Sequence, residues 1–397
     1  MPKAAKKEAA AGKIDLNAMR KSMNTKAGHK VTFDLRSENP ADVNYWISTG
    51  STWLDAIVCR GRMAGIPGGR ITEIAGLPST GKSYMAMQLI ANAQKMGLVP
   101  VYADPEDALD STFMERAGVD LDNVIYTQPA NLESFLDSME TLMSENQGVK
   151  FLFILDSLAA TPTKSDVKGS YDPNSSVGKK ARVLSLAFQK LRPMFAATDS
   201  TFVILNQLKT NISGLAEVPN PKYASITQKY TVPGGKAPEF WASLRIWLTS
   251  STSKSQNVFD EKNYRIGSYV KARLIKSRFG TQDRWAEFKI LWGDKVGVMD
   301  EESLLDAIKG SASIKTGQWN YLFNKDGTEL AKWQKLEQGF VKHMNETPGF
   351  RERVMEIVDE EIIMKFEKRE GDGSAFIDNG VGEDIQTEWL DITIWLC

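Results

Sequence analysis

Eight residues, Gly76-Leu77-Pro78-Ser79-Thr80-Gly81-Lys82-Ser83, follow the pattern G-x-x-x-x-G-K-[ST] without a departure. The apolar run Ile71-Thr72-Glu73-Ile74-Ala75 precedes them and reads as a buried strand. Residues 84–96 follow, with Met85, Leu89, Ala93 and Met96 at helical spacing. Strand, glycine-rich loop and helix in that order make a cradle in which backbone N–H groups and a helix N-terminus face an anion. Gly76 and Gly81 keep the backbone open at the bends, and the whole loop from Gly76 to Ser83 is expected to wrap a nucleotide's phosphates. Lys82 would reach the β- and γ-phosphates, and the Ser83 hydroxyl would ligate Mg²⁺. A chance match in a turn is the alternative, and the flanking strand and helix argue against it.

The 397 residues suffice for one large domain with a smaller one, or for two of medium size. No run approaches the ~18 apolar residues of a membrane span. Residues 1–13, mostly Lys and Ala, are expected to be a flexible arm, neither a signal peptide nor a folded segment. Two cysteines, Cys59 and Cys397, offer no disulfide framework and suit a reducing cytoplasm, and two histidines, His29 and His343, leave little room for a His-based metal site. The net charge of −1 gives no global sign of nucleic-acid binding, although the charges are segregated along the chain.

Asp15 offers a helix N-cap, and Leu16, Met19 and Met23 recur at i, i+3 and i+7, which predicts a short amphipathic helix over 15–24. It would dock on its own core or on a neighbouring subunit. After the loop helix, apolar runs at 98–103, 123–127 and 151–155 alternate with a helical pattern at 132–145, the arrangement of a parallel sheet covered on both faces. The run Phe151-Leu152-Phe153-Ile154-Leu155 closes on Asp156. Ligands of such sheets lie beyond the carboxyl ends of the strands, so Asp156 is predicted beside Ser83 and the Mg²⁺. Residues 161–180 read as a turn-rich loop, and Lys179, Lys180 and Arg182 open a helix expected to stop at Pro193. The basic excess over 164–192 is either a solvated face or an anion-binding one. A strand at 201–206 ends in Asn206-Gln207. Residues 208–235 read as a long mobile loop, 240–249 as a strand and 250–267 as a surface excursion. Residues 269–278 form a strand in which Lys276 and Arg278 share a face, with 286–292 as its hairpin partner. Helical patterns at 301–308, 330–345 and 351–369 around a strand at 319–323 suggest a small α+β unit. The segment 370–397 is acidic and ends in Trp389-Leu390-Asp391-Ile392-Thr393-Ile394-Trp395-Leu396-Cys397, a docking peptide in appearance.

Across 47–369 these motifs resemble the RecA family of DNA strand-exchange recombinases. The likeness is carried by Ser48-Thr49-Gly50-Ser51, the loop, Asp104-Pro105-Glu106-Asp107-Ala108-Leu109-Asp110, Leu121-Asp122-Asn123, Gln128-Pro129, Leu155-Asp156-Ser157-Leu158-Ala159-Ala160, Asn206-Gln207 and Gly234-Gly235. The bacterial branch fits best, and the divergence and the tail suggest a virus-encoded relative. The resemblance implies an α/β fold: a RecA-like P-loop ATPase core with a largely parallel central sheet flanked by helices, an N-terminal helix and a small α+β C-terminal domain. Its divisions would be 1–35 (arm and oligomerisation helix), 36–298 (core with two DNA loops), 299–369 (C-terminal domain) and 370–397 (tail).

By resemblance, Glu106 orients and deprotonates the attacking water, Lys82 binds the transferred phosphate, and Gln207 senses it. Phe113 covers the adenine, Ser83 and Asp156 hold Mg²⁺, and Lys276 and Arg278 reach the ATP of the neighbouring subunit. The first DNA loop would span 166–178, near Lys179 and Arg182. The second would span 208–233, with Lys209, with Ile212 as a wedge between base triplets, and with Gly234 and Gly235 at its end. Gln189 and Glu239 stand where the family has basic residues, a departure in the DNA-contacting positions, and Arg278 replaces a lysine. The implied protein is an ATP-dependent recombinase of the cytoplasm of a bacterium or an infected bacterium. It would form helical filaments on single-stranded DNA, pair them with double-stranded DNA, and meet a single-strand-binding or mediator protein through the tail, with no membrane contact. A ring-forming hexameric helicase and an ATP-gated non-catalytic adaptor remain as alternatives.

Overall fold

The computed structural model describes residues 15–28, 30–107, 109–169, 178–216, 224–250, 257–292 and 296–365. The arm, most of the first DNA loop, part of the second, and the acidic tail lie outside the described residues.

A ten-stranded sheet organises the chain. Its order is Val296–Val298, Trp285–Trp292, Arg265–Ser277, Leu244–Ser250, Ile71–Gly76, Thr201–Gln207, Phe151–Leu155, Val99–Ala103 and Ile125–Thr127, with Asn257–Phe259 paired to Arg265–Ser277. From Leu244–Ser250 to Ile125–Thr127 the pairing is parallel; on the other side it is antiparallel. Alternation along each strand divides the core into two layers. Leu152 and Ile154 join Val203 and Leu205 under the loop helix Lys82–Lys95, whereas Phe151, Phe153 and Leu155 join Phe202 and Ile204 under Leu132–Glu145 and Lys179–Thr198. Every residue of Ile71–Gly76 is buried, Thr72 and Glu73 included, as expected for a central strand covered on both faces.

The helix at Leu16–Ala27 forms where expected, with Asp15 capping the N–H groups of Asn17 and Ala18. None of its residues is buried, and Leu16, Met19 and Met23 face solvent. Near the C-terminus the strands Ile314–Lys315, Asn320–Phe323 and Glu329–Trp333 form a separate three-stranded sheet. Its residues Leu322 and Trp333, with Phe340 and Phe350 of the adjoining helices, share one continuous apolar cluster with the main core.

Several expectations fail in instructive places. The helix Lys179–Thr198 runs through Pro193 rather than ending there. Phe195, beyond the proline, is fully buried against Phe153 and Phe202, and that burial outweighs the missing N–H. The stretch 208–235 is ordered on both sides of its undescribed centre: Lys209–Thr210 pairs with Tyr230–Thr231, and Ile226–Lys229 carries a Ser225–Gln228 capping box. Residues 164–168 are a helix with a Thr163–Asp166 capping box. Ala237–Trp241 is helical, so the strand begins only at Leu244. Glu329–Trp333 is a strand, and its helix begins at Leu336. Asn257–Phe259, placed in a surface excursion, extends the sheet.

Candidate functional site

The loop leaves the carboxyl end of Ile71–Gly76 and enters Lys82–Lys95 at Gly81, whose φ of 79° is left-handed. A Cβ there would lie 2.4 Å from Ile290 Cδ1, and one at Gly76 would lie 2.5 Å from Thr80 Oγ1. Gly76 is therefore demanded by space and Gly81 by its left-handed backbone, since the Ile290 methyl can shift aside. Thr80 Oγ1 donates to the Leu77 carbonyl at 2.7 Å. The Lys82 ammonium donates to the carbonyls of Gly76 at 3.2 Å and Leu77 at 3.0 Å, along the inner wall of the loop. Burial lowers the Lys82 pKa, with Asp156 and Glu106 opposing that shift.

Asp156 follows Phe151–Leu155 and faces the start of the loop helix, where Ser83 Oγ donates to its Oδ2 at 2.9 Å. The same oxygen accepts the Tyr102 hydroxyl at 2.7 Å. Burial raises the Asp156 pKa, these two hydrogen bonds oppose it, and the carboxylates of Glu106 and Asp104 add to it. Glu106 Oε1 accepts from Ser157 Oγ at 2.8 Å, so the carboxylate named as the base is held by the residue after Asp156. Ser83, Tyr102, Asp104, Glu106, Leu109 and Asp156 enclose a cavity of about 70 Å³. Among the described residues no group of three or more His, Cys, Asp or Glu side chains would hold a metal unaided. A hydroxyl beside a carboxylate, with oxygen as the sole donor element, instead suits Mg²⁺, which takes one or two protein oxygens and completes its shell from phosphates and water.

Beside the loop a cleft of about 540 Å³ is lined by residues 79–84, Asp110, Thr112, Phe113, Arg116 and Trp292. Phe113 lies on the short helix Ser111–Arg116 and meets Tyr84 edge to face at 6.1 Å. Arg265 stacks over Trp292 at 5.1 Å. Tyr84 and Trp292 were not anticipated. Trp292 ends a strand far along the chain, and only the hairpin register of Arg265–Ser277 with Trp285–Trp292 carries it to the loop.

Gln207 closes the strand next to the loop strand, in register with Gly76. Lys276 and Arg278 are not brought to this loop. They line or flank a separate cleft of about 680 Å³ with Gly235, Glu239, Phe240, Arg245 and Trp247, and both donate to the Phe240 carbonyl. Burial, then the nearby Arg278 and Arg245, push the Lys276 ammonium down to about 8.

Lys179 opens Lys179–Thr198, and Arg182 is exposed on its first turn. Lys209 is exposed, and Ile212 projects with 80% of its surface accessible. Gly234 and Gly235, at φ of 96° and 62°, press on that same helix: Cβ atoms there would lie 3.1 Å from Leu184 and 3.0 Å from Ala181. The ends of the two expected DNA loops thus share one contact.

A family model described as the RecA N-terminal domain matches residues 14–297. The curated protein named RecA from Sulfurovum sp. (strain NBC37-1) is 36% identical over 315 residues, 77% of this chain and 84% of that protein. Protein RecA from Wolinella succinogenes is 34% identical over 310 residues, 78% of this chain and 81% of that protein. Protein RecA from Rubrobacter xylanophilus is 31% identical over 325 residues, 82% and 86% of the two chains. These matches do not favour the ring-helicase or adaptor readings. Matched along most of its length by proteins of which it covers more than four fifths, the chain belongs to the RecA family.

Proposed function

We propose that this RecA-family member, a DNA-dependent ATPase of recombination, holds ATP at a subunit boundary and uses it to switch a filament on single-stranded DNA. The single observation that carries the reading is the separation of two phosphate-suited sites on one protomer. The loop with Ser83, Asp156 and Glu106 lies in one cleft, and Lys276 and Arg278 lie at another. Cations that cannot serve their own loop are suited to a neighbour's nucleotide.

In this division of labour the loop N–H groups and Lys82 bind the β- and γ-phosphates of the substrate. Ser83 and Asp156 would hold Mg²⁺, which when bound neutralises phosphate oxygens. Glu106, kept in place by Ser157, accepts the proton of the attacking water, and the leaving phosphate carries away the contact that Gln207, Lys276 and Arg278 share. Phe113, Tyr84 and Trp292 pack the base. Lys179, Arg182 and Lys209 neutralise DNA phosphates, and Ile212 spaces the bases while Gly234 and Gly235 anchor the loop end. The N-terminal helix docks on the next protomer, and the tail recruits a single-strand-binding or mediator protein.

Lys82→Ala is expected to abolish ATP-dependent filaments on single-stranded DNA, as seen by electron microscopy, and with them strand exchange. A Lys82→Ala protein that polymerises and exchanges strands like the parent would overturn the proposal.

A further inference from the structure

Tyr102 has no part in the roles above, yet its hydroxyl occupies the phosphate-site cavity. The ring is 1% exposed in Val99–Ala103 and stacks on Tyr126 at 6.4 Å with 21° between planes. The Tyr126 hydroxyl is held in turn by Asp104 Oδ2 at 3.3 Å and Gln128 Nε2 at 3.1 Å. Asp104 is itself pinned, accepting the N–H groups of Glu106 and Leu109 at 3.1 Å each. Tyr102 therefore stands in a rigid frame, and from it donates to Asp156 Oδ2 at 2.7 Å.

A core tyrosine whose hydroxyl takes the nearest acceptor is the plainer explanation. Two facts go further. The acceptor is the one carboxylate that also accepts from Ser83, and the hydroxyl lines the roughly 70 Å³ cavity that both share. A carboxylate rotates about its Cβ–Cγ bond unless a donor fixes one oxygen, and outer-shell donors of this kind set metal affinity.

We propose that Tyr102 is a positioning residue for the divalent cation at the nucleotide phosphates, acting through Asp156. The proposal rests on the assignment of Ser83 and Asp156 to that cation. Tyr102 is the donor that stays on Asp156 when the Ser83 oxygen is engaged elsewhere.

The test is a Mg²⁺ titration of binding of a fluorescent ATP analogue to the full chain. It compares the parent, Tyr102→Phe, Asp156→Asn and the double variant. Tyr102→Phe should raise the half-saturating Mg²⁺ concentration about tenfold, with nucleotide affinity in EDTA and the thermal midpoint in EDTA unchanged. In the Asp156→Asn background Tyr102→Phe should add nothing. An unchanged Mg²⁺ midpoint in Tyr102→Phe, an equal loss of affinity in EDTA, or a full additional loss in the Asp156→Asn background each overturns the inference. A parent protein whose nucleotide binding ignores Mg²⁺ removes the assignment of Ser83 and Asp156 beneath it, and is distinguishable from those outcomes.

Discussion

Glu73 and Arg245 face each other on adjacent central strands, Nε to Oε2 at 2.6 Å, with side chains 0% and 7% exposed. The other carboxylate oxygen accepts from Asn206 Nδ2 at 3.0 Å, so three neighbouring strands meet on one buried charge. Arg245→Met leaves the Glu73 carboxylate, 0% exposed, with Asn206 as its remaining partner among the described residues. Removal of one partner of a buried pair costs about 3–5 kcal/mol, because the other charge stays desolvated. At roughly 2 °C per kcal/mol for a domain of this size, the thermal midpoint should fall by about 6–10 °C. Glu73→Gln combined with Arg245→Met removes the stranded charge and should recover more than half of that loss. Calorimetry at neutral pH in low salt measures both. A fall of less than about 1 kcal/mol in Arg245→Met would mean that the carboxylate finds water, and a double variant no better than the single would mean that lost packing, not stranded charge, sets the cost; either result refutes the reasoning.

Gly81→Ala must place a side chain at φ 79°, so ATP affinity should fall roughly 5- to 30-fold, and Ile290→Ala should not restore it, since the left-handed backbone costs about 1–2 kcal/mol by itself. Lys276, pushed down to about 8 in the free protomer, must carry its proton to meet a neighbour's phosphate. Assembly then takes up protons above pH 8, so ATP-dependent light scattering should weaken as pH rises through 8–9, by up to about tenfold per unit, and Lys276→Arg should flatten the profile. Trp292→Ala should weaken ATP binding about tenfold in calorimetry, with little effect on inorganic triphosphate, if the ring packs the base as proposed in the cleft it lines.

Much of the core was legible because its chemistry is local. The loop declares itself in eight consecutive residues, and Asp156 stands at the end of an apolar run whose neighbours are parallel strands. What escaped was set by contacts between distant segments. Tyr102 matters because Val99–Ala103 pairs with Phe151–Leu155 in a register that puts Tyr102 opposite Ile154, two residues before Asp156. Nothing in the tyrosine's own neighbourhood in sequence announces that. Pro193 was a sound stop signal by local rules and lost to the burial of Phe195. The stretch 208–235 carries enough Gly and Pro to look structureless, yet Asn206 ties it down through the Pro233 carbonyl at 2.9 Å.

The bonds that Lys276 and Arg278 make to Phe240, and Lys276 also to the Glu239 carbonyl, acquire a further meaning once the neighbour is considered. Those carbonyls belong to the last turn of Ala237–Trp241, a helix that starts two residues after Gly235. An ammonium or guanidinium turned toward a neighbour's phosphate gives up some of its hold on that turn. In the proposed assembly, a subunit joining at this face would compete with a helix end for the same two cations, and the outcome would be felt at the glycine pair that presses on Ala181 and Leu184. On that proposal, news of a nucleotide next door would have a covalent path of only a few residues to the expected DNA loop.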